Sequence, residues 1–231
     1  MSEDTIVINF EEVISILKLP LIGTEEQIKQ TKSRQEIEYR KLIAKFKGQN
    51  DEEGRKNSIE SGVAEELTTI IETRDFTQIS AVLVESLEHL TYPGSFENRQ
   101  LLYERKNPYP GLFRLLGHQD SDVVLHALKT IGSIIYGGVG TTPISEQHPH
   151  FSKVAECDGI QKLFSIFQKA SIKLMKDTAA VAFGRLFRAH EIQDKEMKSL
   201  IINHLKSIIA DPDQWTSEES RRALNLLARN K

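Results

Sequence analysis

The sequence contains one cysteine, Cys157, and no long apolar run. A single cysteine excludes an internal disulfide bond, and no apolar stretch approaches the roughly 18 residues that a membrane span needs. The amino terminus lacks the basic region and apolar stretch that mark a secretory signal. We therefore expect a protein of the cytoplasm, with the nucleus as a further compartment, and no association with a membrane.

Alternating patterns of β-branched residues, which mark strands, are absent from nearly the whole chain. Residues 5–10 form the one plausible strand, and we expect them to run into a first helix instead. A chain of 231 residues with 39% hydrophobic side chains can form a sizeable core, as one large domain or two small ones. These features predict an all-α protein.

The sequence also lacks arrangements that are typical of catalysis. No Ser/His/Asp, Cys/His or paired-carboxylate set has a spacing that indicates chemistry. The glycine-rich residues 137–142 suggest a phosphate loop, but they lack a lysine and a preceding strand, which favours a plain flexible connection. His148, His150 and Cys157 suggest a zinc site, but without a suitably spaced fourth ligand, surface histidines and a half-buried cysteine are favoured. We expect no metal, no cofactor and no enzymatic activity.

Residues 107–136 hold a hydrophobic pattern that recurs along the chain. A short apolar helix is predicted to end near Leu116, and a longer one to follow a turn at residues 117–120. Asp120 is expected to cap the longer helix, with Ser121 as the competing residue. The apolar face of that helix is formed by Val123, Val124, Ala127, Leu128, Ile131, Ile134 and Ile135. The stretch therefore predicts one helical repeat.

Three further copies of this pattern follow from aligning the chain with itself. A shift of 52 residues pairs Val123 with Met175, Ala127 with Ala179, Leu128 with Ala180, Ile131 with Phe183, Gly132 with Gly184, Ile134 with Leu186 and Ile135 with Phe187. A looser copy starts at Gly62, and a fourth covers about 198–230. Seven paired positions on one helical face indicate a true repeat.

A short helix, two leucines, a turn with aspartate and a longer helix rich in alanine and leucine resemble the armadillo repeat, or its relative the HEAT repeat. The resemblance covers roughly residues 62–230. It implies a right-handed α-solenoid in which neighbouring repeats stack into one continuous core. An irregular helical bundle, serving an enzyme or a small-molecule-binding protein, is the alternative.

Residues 1–47 are predicted to form an N-terminal helical cap, in which Thr24 and Gln27 make a capping box. Residues 48–57 contain no hydrophobic side chain and are predicted to be a flexible linker. Residues 58–231 are assigned to armadillo-like repeats. An additional helix at 95–105 favours the three-helix armadillo unit over HEAT, and Thr216 with Glu219 suggests a second capping box.

Peptide-binding armadillo proteins of the importin-α type carry a tryptophan and an asparagine on successive third helices, and this sequence departs from that pattern. Lys129, Val181 and Asn225 occupy the tryptophan positions, and Ser133, Arg185 and Arg229 the asparagine positions. The resemblance thus implies a binding face of different chemistry. We assign to it Lys129, Ser133, Arg185, Arg188, Arg222, Asn225 and Arg229.

The charge of the chain is uneven. Residues 159–231 carry 13 Lys and Arg against 8 Asp and Glu, whereas the whole chain has a net charge of −3. The expected function is that of a non-enzymatic scaffold or adaptor that grips a peptide or helix of a partner on a concave face of stacked helices. A basic carboxyl-terminal half favours a protein or peptide with an acidic segment, whereas nucleic acid is not expected. The oligomeric state stays open.

Overall fold

A computed structural model of the protein describes residues 8–229. Those residues form helices, with one 3₁₀ turn at Phe76–Gln78 and no strand. The helices are α1 (Phe10–Leu17), α2 (Glu25–Phe46), α3 (Glu52–Glu60), α4 (Val63–Thr73), α5 (Ala81–Thr91), α6 (Phe96–Arg105), α7 (Tyr109–Leu115), α8 (Ser121–Val139), α9 (Phe151–Glu156), α10 (Gly159–Lys169), α11 (Lys173–Leu186), α12 (Lys195–Ser207) and α13 (Gln214–Leu227). The first half of the possible strand, residues 5–7, lies outside the described residues, and Phe10 begins α1 as expected.

Side-chain caps set where several helices begin. The predicted capping box of α2 is confirmed, because the Gln27 amide donates to Thr24 Oγ1 at 3.3 Å and the Thr24 amide donates to Gln27 Oε1 at 2.9 Å. Asp120 caps α8, since its Oδ1 accepts from the Asp122 amide at 2.8 Å. The second capping box was wrong: Asp213 Oδ2 accepts from the Thr216 amide at 2.8 Å, so α13 begins three residues earlier than expected. Glu219 therefore takes no part in capping α13.

The flexible linker predicted at residues 48–57 is wrong in its second half, because α3 begins at Glu52. The Asp51 carboxylate caps this helix, accepting from the Gly54 amide at 2.8 Å. Gly62, with φ of +99°, then separates α3 from α4. Helices α3, α4 and α5 consequently form a group of three successive helices, as do α6, α7 and α8 and also α9, α10 and α11.

The chain divides into two compact units, Met1–Thr130 and Ile131–Lys231, whose boundary falls within α8. In the first unit α1 packs on α2 and α4, and α2 packs on α5. In the second unit α11 packs on α10, α12 and α13. The division into an N-terminal cap at 1–47 and armadillo-like repeats at 58–231 is a different division of the chain, and it stays a prediction.

Each unit has an apolar core formed by the predicted faces. Leu112, Phe113 and Leu128 are fully buried in the first unit, as are Ala179 and Phe183 in the second. All seven apolar positions assigned to α8 are buried. The hydrophobic periodicity therefore identified the core correctly.

Arginine side chains hold the carboxyl-terminal ends of helices from neighbouring elements. Arg55 is fully buried and donates to Phe46 O at 2.7 Å and His89 O at 3.0 Å. Arg114 donates to the last carbonyls of α4, including Glu72 O at 2.5 Å. The last carbonyls of a helix have no hydrogen-bond partner within that helix, and they carry the negative end of the helix dipole. A guanidinium group donates hydrogen bonds to these carbonyls and places a positive charge beside the dipole. Part of the positive charge of the chain is thus used inside the fold.

Gly184 permits the close approach of α11 and α13. A Cβ atom at residue 184 would lie 2.9 Å from Ala223 Cα and closer still to Ala223 Cβ, whereas a Cβ at Gly132 would meet only Thr178 Cγ2, at 3.5 Å. We expect Gly184→Ala to lower the free energy of unfolding by about 1–3 kcal/mol through overpacking. The matched control, Gly132→Ala, should be neutral or stabilising by up to about 1 kcal/mol, because alanine favours a helix interior. Urea denaturation measures both, and equal effects would contradict the close approach.

Candidate binding surface

The residues assigned to a binding face lie on or beside three long helices. Lys129 and Ser133 are one turn apart on α8, Arg185 lies on α11, and Arg222 and Asn225 lie on α13. Arg188 lies two residues after the end of α11, and Arg229 lies two residues after the end of α13. Burial and hydrogen bonding differ sharply among these residues.

In the first unit, Glu88 of α5 holds two basic side chains of α8. Its Oε2 lies 2.6 Å from His126 Nδ1, and its Oε1 accepts from Lys129 Nζ at 3.3 Å. The Glu88 side chain is 6% exposed, whereas that of Lys129 is 35% exposed. The carboxylate is therefore hidden behind the ammonium group that solvent, or a partner, can reach.

Glu85, one turn before Glu88, is held in a similar way. Its Oε1 accepts from Lys47 Nζ at 3.0 Å and lies 3.4 Å from His89 Nε2. Burial alone would raise the pKa of Glu85, but the hydrogen bond and charge of Lys47, together with the charge of His126, lower it. Glu85 therefore stays ionised and neutralises Lys47.

In the second unit, Arg185 links three helices. It forms an ion pair with Glu219 of α13, donates to Gly132 O of α8 at 3.0 Å, and places its guanidinium carbon 4.3 Å from the centroid of the Tyr136 ring. Burial lowers the pKa of Arg185, and the charge and hydrogen bond of Glu219 oppose that shift. Arg185 is 6% exposed and therefore has a structural role.

Glu219 also holds a second arginine. Its Oε1 accepts from Arg222 Nη1 at 2.7 Å, and Arg222 reaches Glu218 at 3.4 Å. The Arg222 side chain is 54% exposed and that of Glu219 is 7% exposed. The second unit thus repeats the arrangement of the first, in which a buried glutamate sits behind an accessible cation.

These contacts correct part of the predicted site. Arg185 and Arg188 were assigned to an accessible basic groove, but both are buried, and Arg188 is fully so. Ser133 is 9% exposed. Lys129 is half-buried, and Arg222, Asn225 and Arg229 are exposed. The accessible part of the site is therefore smaller than the sequence suggested.

Sequence reasoning missed Glu88, His126, Tyr136 and Glu219. The spacing of Glu219 and Arg222, three residues apart on one helix, was the signal for that pair. Nothing in the sequence indicates that Glu88 contacts α8. Only the folded chain brings Glu88 of α5 next to His126 and Lys129 of α8.

His148 and His150, which the sequence suggested as possible zinc ligands, lie between α8 and α9. His148 and His150 are 2% and 1% exposed, so the prediction that they are surface histidines is wrong. Cys157 is of intermediate exposure, as expected, and burial raises its pKa. Within residues 8–229 no group of three or more His, Cys, Asp or Glu side chains is placed to hold a metal ion. Over the same residues, no helix combines the length and apolar character needed to cross a membrane.

Comparison with known proteins identifies the fold. No protein-family model matches the sequence, and no curated protein does so. An engineered protein from a structural genomics consortium is similar in structure, with a TM-score of 0.63 and 18% identity over 96% of this chain and 80% of that chain. A designed armadillo repeat protein matches with a TM-score of 0.52 and 15% identity, over 95% of this chain and all of its own.

A second designed armadillo repeat protein, solved in complex with the peptide (KR)4, matches with a TM-score of 0.50 and 16% identity, also over 95% of this chain and 100% of its own. The chain therefore has an armadillo-type helical repeat fold, an all-α solenoid, as the resemblance to the armadillo repeat implied.

Proposed function

We propose that the protein is a non-enzymatic scaffold that grips a peptide or helix of a partner protein on the concave face formed by its long helices. The armadillo-type fold supports this proposal, because stacked repeats present an extended surface that suits such ligands. Two other proteins of this fold are designed armadillo repeat proteins, and one was solved with a bound peptide. The proposal places the protein in the cytoplasm or nucleus.

We further propose that the partner segment is acidic. The observation that carries this step is the contrast in exposure between paired groups: Glu88 and Glu219 are buried, while Lys129 and Arg222, which they hold, are accessible. A partner can therefore reach donors and not acceptors at these two places. A carboxylate can add to the existing pairs, whereas an incoming cation would first have to displace Lys129 or Arg222.

The test is selection of short random peptides, displayed on phage, against the full chain. Selected peptides should be enriched in Asp and Glu, and their affinity should fall as salt concentration rises. Lys129→Met and Arg222→Met should each weaken binding about tenfold, the value of one charge-assisted contact of about 1.4 kcal/mol. Methionine keeps an unbranched side chain and places no carboxylate beside the buried glutamates.

Lys206→Met on α12 is the matched control, because Lys206 is exposed and lies on none of the three long helices that carry the site. It should leave binding unchanged. Selection of basic peptides would contradict the acidic partner, and peptides that bind all three variants with equal affinity would contradict the assigned surface.

A further inference from the structure

The connection between α8 and α9 is held by hydrogen bonds to buried side chains. Residues 140–150, here called the strap, follow Val139, which ends α8; the sequence had predicted an exposed flexible loop from residue 137 onward. Most side chains of the strap point to solvent, and Ile144 is 45% exposed. The strap is nevertheless held from beneath by buried side chains.

Arg188 holds the first part of the strap. Its Nη1 donates to Val139 O at 2.9 Å and to Thr142 O at 3.4 Å, its Nε donates to Glu146 O at 3.0 Å, and its Nη2 donates to Thr142 Oγ1. The guanidinium group is fully buried, and burial lowers its pKa, against the opposing charge of Glu146. The strap thus supplies acceptors that this buried cation needs.

His148 holds the other end of the strap and uses both ring nitrogens. Its Nδ1 lies 3.1 Å from the His150 amide nitrogen, and its Nε2 lies 2.8 Å from Ile135 O of α8. A backbone amide can only donate, so Nδ1 accepts and the proton sits on Nε2, which donates to the carbonyl. A second proton, on Nδ1, would remove the acceptor for the His150 amide. The bound strap therefore requires neutral His148.

The surroundings of His148 also disfavour a positive charge. It faces His150 of the strap and the cations Arg188 and Arg185, while the strap's own acid, Glu146, has an exposed side chain. Burial first, and then the charge of His150, lowers the pKa of His148 to about 3, and burial lowers the pKa of His150 to about 4. α8 leaves little room for the ring to move, because a Cβ at Gly138 would lie 2.7 Å from His148 Cε1.

We propose that the strap is an acid-released device: protonation of His148 and His150 detaches residues 140–150 from α8 and uncovers the Arg188 guanidinium. The released histidines regain their ordinary pKa of 6.5, so the released state binds more protons than the closed state below that pH. The equilibrium therefore favours the bound strap most strongly above pH 6.5, and it shifts steadily towards the released strap as the pH falls towards 4. This inference is independent of the proposed scaffold function.

Hydrogen exchange of the full chain, followed by mass spectrometry and corrected for intrinsic rates, tests the release. Between pH 7 and pH 5 the protection of the strap should fall on the order of a hundredfold, about tenfold or more for each histidine. Peptides from α10 and α12 of the same unit should lose far less protection. Equal loss across all three segments would overturn the proposal, because it would show unfolding of the unit.

His148→Gln is the matched variant, since glutamine can donate to Ile135 O and cannot be protonated. Its strap should keep a pH dependence about tenfold smaller than that of the natural chain, and an unchanged dependence would overturn the proposal. Should the variant fail to close at pH 7, ¹⁵N spectra of the natural histidine rings decide. His148 should be the neutral Nε2-protonated form at pH 7, and protonation of the rings should accompany the loss of strap protection at lower pH. Loss of protection while both rings stay neutral would overturn the proposal.

Discussion

Arg185→Glu is expected to lower the free energy of unfolding by at least about 3–5 kcal/mol. The change removes the buried partner of Glu219 and puts a second carboxylate beside it, at a position where Arg185 is 6% exposed. Breaking a buried ion pair by removing one member leaves an uncompensated charge, which costs about this much. The hydrogen bond to Gly132 O and the contact with Tyr136 are lost as well. Urea denaturation followed by circular dichroism measures the change.

Arg229→Glu is the matched control, because it makes the same change of charge at an exposed residue beyond the end of α13. It should alter stability by no more than about 0.5 kcal/mol. The double variant Arg185→Glu with Glu219→Arg should recover part of the loss by restoring opposite charges. An Arg185→Glu protein as stable as the Arg229→Glu protein would show that Arg185 is a solvated surface residue.

Leu128→Asp is expected to have an effect of similar size in the first unit. Leu128 is fully buried in α8. Burying an unpaired carboxylate costs several kcal/mol, a large part of the roughly 5–15 kcal/mol that stabilises a typical domain. The variant should therefore melt far below the natural chain or fail to fold, as thermal circular dichroism would show.

Leu200→Asp on α12 provides the comparison for that substitution. Leu200 is 39% exposed within a helix, so aspartate there should cost about 1 kcal/mol or less, mainly through helix propensity. Should the two variants melt within a few degrees of each other, the assignment of the α8 core face would have to be revised.

The apolar framework of the fold could be predicted because one physical rule governs it. Every apolar residue assigned to α8 lies at helical spacing and is buried, and the shift of 52 residues aligned α8 with α11. Local caps such as Thr24 and Asp120 were also predictable, since each acts on amides two or three residues away. Information of this kind is contained within short stretches of sequence.

The polar parts of the fold could not be predicted in the same way. Helix α3 has few apolar residues, and its buried Arg55 bonds to carbonyls of α2 and α5, which only the folded chain brings together. Arg185 and Arg188 looked like surface cations because arginine is usually exposed. Several of their acceptors, among them Gly132 O and Glu146 O, are backbone atoms that carry no sequence signal. The strap was predicted as a free loop for the same reason.

We propose that a partner peptide binds the surfaces that carry Lys129 in the first unit and Arg222 and Asn225 in the second. The most direct test is NMR spectroscopy of the full chain with a selected peptide that carries a nitroxide spin label. Paramagnetic broadening should affect amides around Lys129, Arg222 and Asn225 and spare those of α1, α10 and α12. Broadening centred on α1, α10 or α12, with the amides around Lys129 and Arg222 unaffected, would contradict the claim.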